Sequence, residues 1–215
     1  MSPTSDFDSE RLVMLSAGNA RLIRLADKLD GPVGGFGRAF WTVIARESLL
    51  TIAAMKTHGV RSVEYIDRYF LTPLNLRLLC EVLAAMPGDK DLPVMNILTA
   101  RYEKYERPGW AVFHSFSDDG QRRKVIQALL PKASVDIRAK ADLPHARSLN
   151  LTLGDGRRVV LLLDQGFGAW RGEGEMRHDF KNDPPAQARA LRAASFRVLV
   201  DAKSEAPIIL DDSKD

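Results

Sequence analysis

The stretch that decides the fold reads Leu143-Pro144-His145-Ala146-Arg147-Ser148-Leu149-Asn150-Leu151-Thr152-Leu153-Gly154-Asp155-Gly156-Arg157-Arg158-Val159-Val160-Leu161-Leu162-Leu163-Asp164-Gln165-Gly166-Phe167-Gly168-Ala169-Trp170-Arg171. Two apolar, β-like runs, 148–153 and 158–163, flank Gly154-Asp155-Gly156. Asp155-Gly156 is expected to supply the positive φ angles of a tight strand reversal, which makes the stretch a hairpin. Pairing the runs brings the His145/Arg147 end beside the Asp164/Arg171 end. An imidazole, guanidinia and a carboxylate at one sheet edge could build a site for a phosphate or another anion.

Working outward, the pattern from Arg61 alternates short β-branched runs with helix-length segments. Strands are expected at 62–66, 93–99, 135–139 and 196–201. Helices are expected at 73–86, opened by Pro73 in the first turn and stopped by Pro87-Gly88, at 117–130 with Ser117 as the cap, and at 184–194. Strands alternating with helices predict an α/β sandwich with a mixed sheet. Before Gly59 the chain reads as two amphipathic segments, 9–29 and 38–57, around the glycine-rich connector 30–37, which is a helical hairpin. The expected organisation is thus an N-terminal helical extension over 1–58, an α/β domain over 59–202 and a flexible tail over 203–215. Phe40, Trp41, Ile44, Leu49, Leu50 and Ile52 need an apolar surface to cover, so the extension is not expected to stand alone.

The composition sets outer limits on function. A length of 215 residues accommodates one full domain with extra helical material. The lone cysteine, Cys80, excludes an intrachain disulfide and reads as a small buried side chain, which points to a cytoplasmic location. The polar, acidic start does not read as a signal peptide, and no transmembrane segment is expected. His58, His114, His145 and His178 show no paired spacing, so no metal site is expected. No cofactor is expected either: the chain has no Walker lysine after its glycines, no dinucleotide fingerprint, no Gly-x-Ser-x-Gly elbow and no His-Glu-x-x-His motif. The net charge of +3 is locally concentrated, in 101–107, Arg122-Arg123-Lys124, Arg157-Arg158, Arg171 and Arg177. Such clusters permit contact with nucleic acid or anionic lipid, or are solvated faces.

Four groups of residues could carry chemistry. Asp67, Arg68 and Tyr69 follow the strand 62–66 at its carboxyl end, where α/β sheets gather ligands; they could equally be a helix-entry turn. His145 and Arg147 share a face in extended chain, so the imidazole could attack or protonate a phosphate oxygen while the guanidinium holds the others. Asp164 could orient His145, and the glycines at Gly166 and Gly168 would let backbone N–H groups approach an anion, unless they mark a bulge or a tight strand exit. Arg171 closes the corner, beside Trp170, which is either a packing residue or a platform for a base.

In the order of its segments the chain resembles the phospholipase D-like C-terminal domain of MIT-domain-containing proteins and its prokaryotic relatives. The matching pieces are Ile66-Asp67-Arg68-Tyr69, the leucine-rich 74–83, Asn96-Ile97-Leu98-Thr99, 122–130, 135–138, His145-Ala146-Arg147 and Leu163-Asp164-Gln165-Gly166. The resemblance implies a phospholipase D-like mixed sheet flanked by helices and a surface for phosphate-bearing partners. Nucleic-acid backbone is expected ahead of phosphoinositide head groups, within a bacterial defence or DNA-processing system, and a homodimer is compatible with it. The chain departs from the phospholipase D signature His-x-Lys-x4-Asp, because Arg147 stands at the lysine position and Thr152 at the aspartate position. The expectation is therefore a phosphodiester-binding module in which Arg147, His145, Arg68 and Arg171 hold backbone and Asp67 and Asp164 orient them. Two alternatives stand beside it. One is a phosphodiesterase or nuclease with a His145 nucleophile and Arg147 stabilising charge. The other is a non-catalytic subunit docking onto a larger machine such as a helicase, with Phe40, Trp41 and Leu50 exposed in the isolated chain.

Overall fold

A computed structural model describes residues 21–88, 93–102, 116–163, 166–172, 187–190 and 194–201; for 21–27, 47, 171, 187–190 and 194–201 it describes the backbone alone. In chain order the elements are β1 (Arg21–Asp27), β2 (Gly31–Pro32), a 3-10 turn (Val33–Gly35), α1 (Phe36–Glu47), α2 (Leu49–His58), β3 (Val60–Ile66), α3 (Pro73–Ala84) and β4 (Val94–Ala100). Then follow α4 (Asp119–Leu129), β5 (Ala133–Arg138), a 3-10 turn (Lys140–Asp142), β6 (Arg147–Leu153), β7 (Arg158–Leu163), a 3-10 turn (Gly166–Ala169), β8 (Trp170–Gly172), β9 (Gln187–Ala190) and β10 (Ala194–Asp201).

The main sheet has seven strands in the order β1-β10-β7-β6-β3-β4-β5, and a second, three-stranded sheet has the order β2-β9-β8. The mixed sheet expected from the segment order is present. β3, β4 and β5 are parallel neighbours, and α3 and α4 are the crossovers that join them. β6 runs antiparallel to β3, and β7 and β10 continue antiparallel. Because Ile66 pairs with Ser148 and Arg147 with Leu163, the ends of β3 and β7 and the start of β6 meet at one edge. This edge carries the candidate site.

Local sequence explains most of the elements. β3 alternates, with Val63 and Tyr65 buried between more open positions, as a half-covered strand requires. The Thr72 hydroxyl accepts from the Asn75 N–H at 3.2 Å and Pro73 begins α3, an ordinary helix start. β6 and β7 are buried along Leu149, Leu151, Leu153 and 159–163. In the hairpin turn Gly156 alone has a positive φ, of 86°; Asp155 does not, contrary to expectation. Its carboxylate instead accepts from the Arg157 N–H and Nε.

Five further expectations need correction. Residues 21–27 are a strand, because their backbone pairs with β10 from Arg21↔Val200 to Asp27↔Ala194; residues 9–20 lie outside the described set. The second amphipathic segment is two helices, interrupted at Ser48, whose Oγ lies 2.6 Å from Thr51 Oγ1. α1 begins inside the connector and includes Gly37. At the other end, 187–190 is a strand held between β2 and β8 rather than part of a helix; 184–186 and 191–193 are outside the described residues, as is the tail after 201. The cap of α4 is Asp118, which accepts from the Gln121 N–H at 2.8 Å, and not Ser117. In the last two strand cases pairing with distant chain overrides a local pattern.

The helices before Gly59 pack directly on the α/β part. Phe36, Phe40, Trp41, Ile44 and Ile52 are buried, and Trp41 Nε1 donates to the Val82 carbonyl at 2.8 Å. Phe36 meets Phe167 at 6.1 Å and Trp170 at 4.9 Å between ring centroids, both edge-on, a favourable aromatic geometry. A docking face built on Phe40 and Trp41 is therefore ruled out. Leu49 and Leu50, 72% and 73% exposed, are the large apolar residues left open among the described residues of this segment. Cys80 is partly buried and its thiol is pushed up to about 11 by burial. Among the described residues no helix is long and apolar enough to cross a membrane.

Gly37 marks the tightest contact of α1 on α3, since a Cβ there would overlap the Glu81 carbonyl, a backbone group that cannot swing away. Gly37→Ala is expected to destabilise the protein by roughly 1–3 kcal/mol through forced separation of the helices. Urea unfolding of the two proteins measures this, with a lowered midpoint at unchanged slope as the expected outcome.

Candidate functional site

The edge is organised around Asp67, the residue immediately after β3. Its backbone N–H donates to the Leu98 carbonyl at 3.0 Å, which fixes it against the end of β4. Its side chain is buried, 1% exposed. The Tyr65 hydroxyl donates to Oδ2 at 2.7 Å, the Tyr69 N–H donates to Oδ1 at 2.8 Å, and Arg147 Nε lies 3.6 Å from Oδ1. Burial pushes the Asp67 carboxyl up, while the Arg147 charge, the Tyr65 hydroxyl, the Tyr69 amide and the Arg122 charge act in the opposite direction. Burial also raises the Tyr65 phenol well above its ordinary value, reinforced by the charge of Asp67 and its hydrogen bond.

Gly166, after β7, closes this arrangement. Its φ of 56° lies in the left-handed region, and a Cβ there would overlap the Asp67 carboxylate and come within 3.1 Å of Arg147 Cδ. Both the backbone and the space require glycine.

Cations surround the neighbouring Tyr69. Arg147 Cζ and Lys140 Nζ each lie 4.8 Å from the centre of its ring, within cation–π range. Arg68 Nη1 contacts His145 Nδ1 at 3.1 Å, and its Nη2 donates to the Leu143 carbonyl at 2.5 Å. Three separate segments, 67–69, 140–147 and 166, thus meet at one edge.

The sequence-predicted residues are sorted by this geometry. Asp67, Arg68, Tyr69, His145, Arg147 and Gly166 are brought together. His145 and Arg147, however, have different partners: His145 is exposed on Arg68, while Arg147 is largely covered against Asp67 and Tyr69. Gly168 faces α3 instead, where a Cβ would sit 3.7 Å from Asn75 Nδ2. Asp164 lies outside the described residues, and of Arg171 only the backbone is described. Trp170 is 1% exposed and its Nε1 donates to the Lys28 carbonyl at 2.8 Å, so it is a packing residue and no platform for a base. Among the described residues no group of three His, Cys, Asp or Glu could hold a metal ion.

Three contributors escaped the sequence reading. Tyr65 was visible only as an inward residue of β3, and Lys140 as an isolated charge. Arg122 looked like part of a solvated basic run, yet it is 1% exposed. Its Nη1 donates to the Phe70 carbonyl at 3.1 Å and Thr99 Oγ1 at 3.2 Å, and its Nη2 to the Ala100 carbonyl at 2.7 Å and Asp119 Oδ1 at 2.6 Å. It thereby ties the segments after β3 and β4 to α4. The legible signal was helical spacing, since Arg122 lies four residues before Ile126, the buried apolar residue of α4.

The pH dependence of Asp67 follows from its direction of shift. A raised carboxyl keeps its proton further up the pH scale in the folded chain than in the unfolded one. The associated stability is fully present below the ordinary carboxylate range and is lost as pH rises through the folded value. Asp67→Asn removes that proton equilibrium. Denaturant unfolding across mildly acidic pH is expected to show a less negative slope of stability with pH in Asp67→Asn than in the parent; equal slopes would refute the buried-carboxyl account.

Among curated proteins none matches the chain. A mutant of yeast tyrosyl-DNA phosphodiesterase 1 is similar with 11% identity over 73% of this chain and 30% of that one, at a TM-score of 0.33. A polyphosphate kinase from Porphyromonas gingivalis is similar with 8% identity over 92% of this chain and 24% of that one, at 0.37. The chain thus spans less than a third of the length of either, and likenesses this distant carry no inference about chemistry. The family model described as DEAD/DEAH box helicase YjiV, C-terminal domain, matches residues 19–211 of the 215. It replaces the MIT-domain association suggested by segment order, and with nearly the whole length matched, the chain belongs to the family of the C-terminal domain of the DEAD/DEAH box helicase YjiV.

Proposed function

We propose that this domain holds the phosphodiester backbone of nucleic acid at the β3/β6 edge of its sheet, as a binding module of the phospholipase D-like kind. The observation that carries the reading is the charge arrangement around Tyr69. Arg68, Lys140 and Arg147 gather there with His145, while the Asp67 carboxyl group is buried behind Arg147. Outward, the edge offers guanidinium, ammonium and imidazole groups, which suit phosphate oxygens. A domain family named for a helicase supplies the context in which nucleic acid is the phosphate-bearing partner ahead of lipid head groups. Arg171 would extend the same edge, and Asp164 would border it. Pairing of two chains into one site belongs to the same reading, as does work in a defence or DNA-processing complex.

The hydrolytic alternative, with His145 as nucleophile, has less support. Thr152, at the position of the signature aspartate, pairs with Arg158 at the far end of β6, next to the hairpin turn. Nothing at that position can assist the imidazole.

Binding of a fluorescent single-stranded oligonucleotide, followed by anisotropy across a salt series, tests the proposal. Log affinity is expected to fall linearly with log salt, by about 0.7 per phosphate neutralised. Lys140→Ala is expected to weaken binding to all sequences alike and to reduce the slope by about 0.7, the share of one phosphate. A salt-independent interaction, or equal affinity for anionic vesicles and oligonucleotide, would overturn it.

A further inference from the structure

A guanidinium has five N–H donors, no acceptor, and stays protonated in proteins. In the 3.1 Å contact between Arg68 Nη1 and His145 Nδ1, the arginine therefore donates and Nδ1 accepts. A neutral imidazole carries one N–H, so its proton sits on Nε2. Arg68 is well held for this task, because its Nη2 is fixed by the Leu143 carbonyl, two residues before His145. Its neighbour Asp67 is anchored to the end of β4. The reverse polarity, a carboxylate accepting from Nδ1–H, is what leaves Nε2 with a lone pair for attack or proton abstraction. Among the described residues no carboxylate pairs with His145.

We propose that Arg68 is a positioning residue that locks His145 in the Nε2–H tautomer, so that the ring donates to a bound anion and keeps no lone pair for attack. This rests on the phosphate-binding reading and narrows it: the ligand is an intact phosphodiester, held and released unchanged. Arg68 thus does more than add charge. It decides which chemistry the histidine can perform.

The test is a nitrogen NMR spectrum of the ring nitrogens in the full chain labelled at histidine, recorded where imidazole is neutral and assigned with His145→Gln. The parent is expected to show His145 with a protonated Nε2 and an unprotonated Nδ1. Arg68→Ala should move the two nitrogen shifts toward each other, as the tautomers begin to exchange, and Arg68→Glu should reverse them. Because Arg68→Ala also removes the bond to Leu143, Arg68→Lys serves as the conservative control and should retain the parental pattern. A protonated Nδ1 in the parent, or an Arg68→Ala spectrum identical to the parent's, would overturn the proposal. Adding a short single-stranded oligonucleotide to the parent should shift the Nε2 proton downfield; binding without that shift, or formation of phosphohistidine at position 145, would also overturn it. Failure of the oligonucleotide to bind while the tautomer still depends on Arg68 would remove the phosphate-binding reading and leave the role of Arg68 standing.

Discussion

A carboxylate with almost no access to water holds the β3/β6 edge of the sheet in place. Asp67 would be costly to bury alone, and the surrounding chain answers that cost with a phenol, a backbone amide and a guanidinium. Each of those donors comes with a constraint. Tyr65 must point inward from β3, Tyr69 must turn back over Asp67, Arg147 must begin β6 in register with the end of β7, and Gly166 must stay bare. The site exists because these demands are met at once. Arg147 is positioned by a carboxyl group almost closed to solvent.

Arg122 performs a related task one layer further in. Its donors satisfy the Phe70 carbonyl after β3 and the Ala100 carbonyl at the end of β4, and Asp119 compensates its charge from the helix it belongs to. Burial lowers its pKa while Asp119 raises it, and the group remains cationic under any ordinary condition. Removing the Arg122 guanidinium leaves the Phe70 and Ala100 carbonyls without this donor, so the segment after β3 that carries Arg68 and Tyr69 depends on a residue of α4.

The central unit was legible because each of its elements carries two agreeing signals. α3 has Thr72 and Pro73 as well as its leucines; the hairpin has Gly156 as well as two apolar runs. Residues 21–27 and 187–190 carried one signal only, an apolar pattern that a helix or a strand could use, and the partner that decides between them lies far along the chain. Convergence of 67–69 with 145–147 and Gly166 followed from strand order. Depth did not: sequence treats Asp67 and Arg68 as alike, whereas packing puts one inside and leaves the other at the rim. The interruption at Ser48 had a readable cue in the Ser48/Thr51 spacing.

The order of the main sheet places the two ends of the described chain side by side. β1 has β10 as its neighbour, and β10 in turn covers β7, so the outer half of the sheet is closed by a seam between segments more than a hundred and fifty positions apart. Pairings so remote in sequence carry a larger loop-closure cost than those of the locally connected β3-α3-β4-α4-β5 unit. Until β10 pairs with it, the hydrocarbon-rich strand Arg158–Leu163 presents bare amides and carbonyls along one side, a template for association with other unfinished chains. Shortening the chain from its C-terminal side past β10 would make that passing hazard permanent.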